Sequence, residues 1–477
     1  MSLDAFDVEV LTRGPARPTT ALPFGVAVAE TPGQLAGARR LRHATFVLEQ
    51  GLFDTSDRDD VDDDDRALTL VALDRTNEVV GTVRLSPATR GRDLGWWVGS
   101  RLAVARGARG HAPGVGPGIG AALVRAACAH AERLGALRFD ARVQTANVPL
   151  FRRLGWTELA AEDAYGHPHV AMTWPVDRVA RLAARTKSPL GALLAPFATG
   201  PAGLGGVGFV GDDAAPVPGS DLVAATDAIL PSMVERDPTW AGWCAVLVNL
   251  NDVAAMGATP VALLDALGAR DASFASRVVR GLSAAARAWD VPVLGGHTQL
   301  GVPASLSVTA LGRTASPVPA GGGAPGQTVT VTADLGGGWR PGYAGAQWDS
   351  TSGRTTTELQ TMGSFVGRSR PAAAKDVSMA GLVGTLGMLA EASGCGAVLD
   401  VADVPAPAGA STGDWLTCFP GFAMITTDVP GRVPAPAGPA TSRACGALTE
   451  GPGVHLRWPD GRTTPALTTP VTGLGPA

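Results

Sequence analysis

VLVNLNDVAAMGATP, Val246 to Pro260, is the stretch around which the rest of the chain is organised. As a helix it places Val246, Leu250, Val253 and Ala254 on one apolar stripe, at helical spacing. Asn249 and Asp252 stand three apart and leave the same turn in one direction. Gly257 suits a left-handed cap, and Pro260 stops the helix from continuing. The expectation is a buried helix that carries an amide and a carboxylate to one spot near its end.

Upstream lies GDDAAP, Gly211 to Pro216, with Asp212 and Asp213 in a Gly-rich turn. The strand LVAATD then ends at Asp227, and VLGGHT follows downstream, ending at Thr298. Asp212, Asp213, Asp227 and Asp252 thus sit at the ends of elements, where a scaffold usually holds its functional groups. Clustered carboxylates repel unless a cation joins them. Hard oxygen ligands of this kind suit Mg²⁺, held by a few carboxylates together with substrate phosphates. Gly295 and Gly296 allow close backbone approach to such a group.

GDDAA, TD, NDVAAMGATP and GGHT, followed by SLSVTALGR, together resemble the aminoimidazole ribonucleotide (AIR) synthetase superfamily, which includes thiamine-monophosphate kinase and selenophosphate synthetase. The resemblance is close from Gly205 to about Gly312 and looser beyond. It implies a two-subdomain α/β fold that binds Mg-ATP and phosphorylates an oxygen of its substrate. By that likeness Asp212, Asp213, Asp227 and Asp252 are the metal ligands, and Asn249, Gly295, Gly296, His297 and Thr298 face the nucleotide. The third position of GGHT is usually acidic in relatives, and here it is His297. A second signature, KDVSMAG, stands where relatives often carry DVSDGG. It keeps Asp376 and replaces the second Asp with Met379, which is expected to be packed and apolar. Asp252, Lys375 and Asp376 are the catalytic candidates. Related proteins pair strands across a dimer interface, so a homodimer is expected. KDVSMAG, GTLGMLAEASG and FPGF resemble the AIR synthase-related proteins associated with nitrogen-starvation acetyltransferases.

The first part of the chain carries a different pattern. A helix is expected from Gln34 to Phe46, then an acidic run, Asp57 to Asp65, that reads as a solvated loop. Leu68 to Asp74 and Val79 to Ser86 read as two strands joined by the turn RTNE. GVGPGIGAALVRAACAHAERLG, Gly114 to Gly135, begins Gly-rich and continues as a helix, with backbone N–H groups free at its start. RHATFVLEQGLF, GTVRL, GIGAALV and NVPLFRRLGW in that order resemble the GNAT N-acetyltransferase superfamily over roughly Val26 to Trp174. The resemblance implies a central mixed sheet. It also implies an acetyl-CoA pyrophosphate held by Gly116, Gly118, Ile119 and Gly120, with Asn147 beside the pantetheine arm. The usual family residues are absent at Val115 and at Phe151, where relatives often place a tyrosine acid. Glu49, His111 and Tyr165 are candidates for proton transfer.

The expected fold class is therefore α/β (α+β). A loose arm covers residues 1–20, an acyltransferase-like domain 21–180 and a linker 181–204. Two AIR synthetase-like subdomains follow, 205–313 and 314–477. Val176 to Phe197 reads as a connecting helix or helix pair broken at Ser188-Pro189. A net charge of −4 over 477 residues favours neither nucleic acid nor an anionic membrane. The five cysteines are scattered without a CxxC, which suggests buried free thiols in a reducing cytoplasm. No run of eighteen apolar residues appears, and a cytoplasmic location is expected. Lys187 and Lys375 are the only lysines, a skew that reads as composition and not as function. The functional expectation is a bifunctional enzyme that uses acetyl-CoA, ATP and Mg²⁺ on a nitrogen-containing small metabolite. The alternatives are a non-catalytic ATP and acyl-CoA sensor, or a small-molecule kinase.

Overall fold

A computed structural model describes residues 24–110 and 118–477. The chain forms two compact units, residues 1–176 and 177–477. In the first unit, strands β1 (Phe24–Val28), β2 (Leu68–Asp74), β3 (Val79–Pro87), β4 (Trp96–Val104), β5 (Arg138–Gln144), β6 (Thr157–Ala164) and β7 (His167–Trp174) form one sheet. Its order is β1-β2-β3-β4-β5-β7-β6. Helices α1 (Pro32–His43), α2 (Ile119–Arg133) and α3 (Val148–Arg153) complete the unit. Thr31 starts α1 with a reciprocal capping box to Gln34, which satisfies N–H groups that the first turn leaves orphaned. The expected helix to Phe46 continues as a π-helix, Ala44–Glu49.

Only β4 and β5 run parallel in this sheet, and their pairing stops at Gly99 and Ala141. Beyond that point the two strands part, although each continues. Leu123, Ala127 and Ala131 of α2 lie buried against the sheet, and Gly135 ends the helix region at φ 81°.

The acidic run is not a solvated loop. Asp57 is 4% exposed, and both it and Asp62 bind Arg42, which is 2% exposed. Arg84 binds Asp59 and Asp62, and Arg101 binds Asp57 and Asp59. Burial opposes the Asp62 carboxylate, but Arg42 and Arg84 outweigh it and hold its pKa far below the ordinary range. The run looked solvated in sequence because its arginine partners come from distant strands and from α1.

The second unit opens with α4 (Arg178–Thr186) and α5 (Leu190–Leu194), the expected helix pair. Then come β8 (Ala215–Pro216), β9 (Leu222–Ile229), α6 (Pro231–Arg236), α7 (Pro238–Ala255), β10 (Thr259–Ala269), α8 (Ala272–Trp289), β11 (Val293–Leu300) and β12 (Ser305–Arg313). These strands form a sheet ordered β11-β10-β12-β9-β8. The remaining chain supplies β13 (Thr328–Ala333), β14 (Gly338–Trp339), β15 (Trp348–Asp349), α9 (Thr356–Gly363), α10 (Phe365–Ser369), β16 (Ala373–Asp376) and α11 (Gly381–Ala392). It ends with β17 (Gly396–Asp400), α12 (Thr412–Thr417), β18 (Ala423–Asp428), β19 (Thr441–Thr449), β20 (Val454–Arg457) and β21 (Thr463–Leu467). A second sheet runs β16-β18-β13-β19-β17-β20-β21, and β14 pairs with β15 apart from it.

Helix α7 joins these layers. It is capped by Asp237, whose carboxylate accepts the Trp240 N–H, and nearly all of it is buried. It packs against β9, β12 and β16, and its apolar residues share one core with Val223, Val308, Phe422 and Met424. The quoted stretch supplies the end of the helix from Val246 to Ala255 and the turn into β10, with Gly257 at φ 65° just past the helix as expected. Helices α7 and α8 meet at glycines. A Cβ on Gly242 would lie 2.2 Å from the Val278 carbonyl oxygen, and one on Gly281 would lie 1.8 Å from that of Thr239.

All five cysteines are buried free thiols. No helix among the described residues is long and apolar enough to cross a membrane.

Candidate active site

Three carboxylates converge in the second unit. Asp213 comes from the Gly-Asp-Asp turn, Asp252 from the last turn of α7 and Asp376 from the end of β16. One oxygen of each lies within 4.8 Å of the others. Asp252 is 7% exposed and Asp376 is 2% exposed.

Lys375, the neighbour of Asp376 on β16, is buried and ion-paired with Asp213. The other Asp213 oxygen accepts the Asp376 N–H at 2.9 Å. Burial works against the Lys375 ammonium, yet Asp213, Asp212 and Asp376 outweigh it and raise its pKa. This lysine is therefore a fixed cation that neutralises one carboxylate.

The remaining acids have less compensation. Burial, then the charges of Asp376, Asp227 and Asp213, push Asp252 well up. Burial and Asp213 do the same to Asp376. The Asp376 Oδ2 atom is buried and makes no hydrogen bond. An orphaned buried carboxylate oxygen beside two further carboxylates is the environment a hard divalent cation completes, and these three residues fit Mg²⁺.

Asp212 and Asp227 stand around this group. Asp212 accepts the Ala320 N–H at 2.7 Å with one oxygen and the Asp213 N–H at 2.8 Å with the other. Its pKa is pushed up to about 7, chiefly by burial, with Lys375 opposing. Asp227 lies on β9, two residues before the strand ends, and burial raises its pKa. Asn249 positions it. Fully buried, the Asn249 amide oxygen accepts the Asp227 N–H at 3.1 Å, and its nitrogen donates to the Ala245 carbonyl at 2.8 Å. Asn251, which the sequence did not single out, ties α7 to the Gly421 carbonyl at 2.8 Å.

Gly295, Gly296, His297 and Thr298 lie on β11, an exposed edge strand that pairs in parallel with β10. No described hydrogen bond or ion pair links them to the aspartates. Met379 is 41% exposed, not packed. The turn after β16, closed by the Gly381 N–H to the Ser378 carbonyl, leaves its side chain outside.

These buried acids have a measurable signature. The folded protein retains protons that ordinary carboxylates in the unfolded chain release above roughly pH 4. Unfolding then releases protons, so stability without metal falls as pH rises from about 4 through 7. In EDTA the thermal midpoint should decline between pH 5 and pH 8, less steeply in Asp376→Asn. Millimolar Mg²⁺ should recover more of it at pH 8 than at pH 5. Parallel pH profiles for both proteins, unchanged by Mg²⁺, would refute this account of the cluster.

In the first unit, Gly118 is the N-cap of α2 and provides no side-chain cap, so the first amides of Ile119 and Gly120 have no such partner. Gly116, Val115 and His111 lie outside the described residues. Asn147 ends a 3-10 turn at the start of α3 and is exposed, without a side-chain cap bond. Phe151 is buried, its ring edge-on to Trp156 at 5.2 Å. Glu49 is held by Arg109 at 2.9 Å. Tyr165, at φ 56°, is half-exposed with its ring 4.7 Å from Phe53.

Comparison with known proteins gives three matching families. AIR synthase related protein, N-terminal domain, matches residues 211–314, and its C-terminal domain matches 354–433. The acetyltransferase (GNAT) family matches residues 37–156. An uncharacterized protein of Synechocystis sp. is 36% identical over 45% of this chain and 69% of its own length. A thiamine-monophosphate kinase of Halobacterium salinarum is 32% identical over 48% of this chain and 83% of its own length. The crystal structure of thiamine monophosphate kinase from Aquifex aeolicus overlaps 54% of this chain and 92% of that one, at 22% identity and a TM-score of 0.41. With an acetyltransferase (GNAT) domain ahead of it, the second unit carries both domains of the AIR synthase related proteins, and the chain belongs to that family.

Proposed function

We propose that the second unit transfers a phosphoryl group from ATP, with Mg²⁺, to an oxygen of a nitrogen-containing small metabolite. We further propose that the first unit transfers an acetyl group from acetyl-CoA to an amine. The observation that carries the first reading is the unpaired, buried Asp376 Oδ2 beside Asp213 and Asp252. The kinase relatives support the choice of phosphoryl transfer.

Asp213, Asp252 and Asp376 would hold the metal. Bound there, Mg²⁺ would offset polyphosphate charge and orient the terminal phosphoryl group. Lys375 holds Asp213 in place through their ion pair. Asn249 fixes the backbone of Asp227, and the Ala320 amide fixes Asp212, so the surrounding acids are held before substrate arrives.

In the first unit, the parting of β4 and β5 leaves backbone polar groups available to an extended ligand arm. The uncapped start of α2 attracts an anion, such as the pyrophosphate of acetyl-CoA. Acetyl-CoA would supply the activated acyl group. Phe151 cannot donate a proton, so the leaving thiolate takes one from another group or from water.

A homodimer is the proposed assembly. Strand β11 is exposed along its whole length and forms a sheet edge, with Leu294 at 66% and Leu300 at 52% exposure. An edge of this kind is open to pairing with a second copy.

Calorimetric titration of the full chain with ATP, with and without Mg²⁺, tests the central reading. Binding that requires Mg²⁺ is expected, as is phosphate transfer to an acceptor oxygen. Absence of nucleotide binding under both conditions would overturn it.

A further inference from the structure

The turn that carries Asp212 and Asp213 has no regular structure of its own. Its first residue, Gly211, takes φ 68°, and β8 begins only at Ala215. A metal ligand on such a turn depends on the groups around it for a fixed position.

Three contacts hold Gly211. Its N–H donates to the Leu204 carbonyl at 3.2 Å, and the Lys375 ammonium donates to its carbonyl at 3.5 Å. The third contact comes from far along the chain. A Cβ on Gly211 would lie 2.5 Å from Leu474 Cδ1, 3.7 Å from its Cγ and 3.8 Å from its Cβ. The leucine side chain therefore rests on bare backbone, in space that only a glycine leaves open.

The segment that carries Leu474, Val471–Ala477, forms neither helix nor strand, yet it is closely held. Glu391, near the end of α11, accepts four hydrogen bonds from it. One carboxylate oxygen takes the Val471 and Thr472 N–H groups, both at 2.8 Å. The other takes the Thr472 hydroxyl at 3.0 Å and the Gly475 N–H at 3.2 Å. Hydrogen bonds to a carboxylate are stronger than those between neutral groups, and here they converge on one residue. From the opposite side, the Gly191 N–H of α5 donates to the Thr472 carbonyl at 2.8 Å. The Ala477 N–H donates to the Ala392 carbonyl at 2.9 Å.

The same segment reaches the second support of Asp212. A Cβ on Gly321 would lie 2.8 Å from the Ala477 Cβ. Gly321 follows Ala320, whose N–H holds the Asp212 carboxylate at 2.7 Å. Val471–Ala477 thus touches both the backbone that carries the paired aspartates and the backbone that binds one of them.

We propose that Val471–Ala477 is a strap that fixes the Gly211–Asp213 turn and so positions Asp213 for a divalent cation. Leu474 and Glu391 are the positioning residues. Leu474 blocks movement of Gly211, and Glu391 keeps Leu474 over it. Helix α11 then serves two ligands, since it follows Asp376 at its start and steadies Asp213 through the strap at its end. The link to metal rests on the metal-site reading above.

The test compares wild type, Leu474→Ala, Leu474→Met and Glu391→Ala as full chains. Calorimetry measures Mn²⁺ binding. Hydrogen exchange of the metal-free proteins, read by mass spectrometry, compares the turn from Phe209 to Ala214 with α8 as internal reference. Leu474→Ala should bind Mn²⁺ about 10-fold more weakly. Its turn should exchange faster while α8 stays as in wild type. Leu474→Met keeps a long apolar side chain and should restore both readouts. Glu391→Ala should show losses at least as large as those of Leu474→Ala. Should Glu391→Ala not fold, the two Leu474 variants decide, because Leu474 is only half-buried. Unchanged exchange of the turn in Leu474→Ala overturns the strap, and so does faster exchange spread evenly over the second unit. A faster turn with wild-type Mn²⁺ affinity overturns its role in positioning Asp213. A wild-type protein that binds no Mn²⁺ overturns the metal reading, and the exchange comparison alone then decides whether the strap fixes the turn.

Discussion

Asp376→Asn is expected to raise the thermal midpoint of the metal-free protein while lowering its Mg²⁺ affinity about 100-fold, or about 2.7 kcal/mol. Both effects have one origin. Asp376 is buried beside Asp213 and Asp252, and its Oδ2 has no hydrogen-bond partner. Without metal this charge is a burden, and an amide of similar shape relieves the repulsion. With metal the same oxygen becomes a ligand, and the amide is a poorer one. Asp213→Asn should behave differently. It strips Lys375 of its ion-pair partner and leaves a buried ammonium without a direct counter-charge, a change that costs about 3–5 kcal/mol. Metal affinity should fall in both variants, but only Asp213→Asn should also lose stability. Chemical denaturation in EDTA and calorimetry with Mg²⁺ separate the cases. Equal destabilisation in both would mean that Asp376 has a structural partner and not a vacant ligand position.

The second large effect is expected at Gly281. Helices α7 and α8 approach so closely there that a Cβ would sit 1.8 Å from the Thr239 carbonyl oxygen and 2.8 Å from its carbon. Neither atom belongs to a flexible side chain, so the helices themselves would have to separate. Gly242 makes the reciprocal contact with α8, which removes the option of a simple tilt. Gly281→Ala should cost about 3 kcal/mol, the upper part of the usual range for overpacking. Gly281→Val should cost more. Because α7 carries Asn249 and Asp252, a shift of its axis should also weaken Mg²⁺ binding in whatever protein remains folded. Urea unfolding of Gly281→Ala measures the first effect. A loss below about 0.5 kcal/mol would show that the crossing is looser than these distances imply.

The parts of this fold that were legible in sequence are those whose signal is local. The end of α7 carried its stripe, its cap and its stop within fifteen residues, and it ends as read. Its beginning did not, because the first turns are buried on nearly all sides and show no amphipathic contrast. The hairpin of β2 and β3 was equally local. What escaped depended on partners far along the chain. Asp57 and Asp62 looked solvated because nothing in their own segment announces Arg42, Arg84 or Arg101. GGHT was read only for the close approach its glycines allow, and it lies inside β11, where pairing with β10 holds it extended. Asp376 was visible as a motif residue. Its place beside Asp213 and Asp252 was not, because those three residues come from a loop, a helix end and a strand end of separate subdomains.

The scarcity of lysine also makes the second unit easy to address chemically. Only two side-chain amines exist in the sequence, and Lys375 is 4% exposed and engaged with Asp213. A mild amine-directed reagent on the native protein therefore has one side chain to modify, Lys187. A probe fixed there would mark the second unit without any engineered cysteine. A lysine-specific protease has the same single opening. Cleavage after Lys187 would part the chain just past the start of the second unit, yielding a fragment that retains every aspartate of the site.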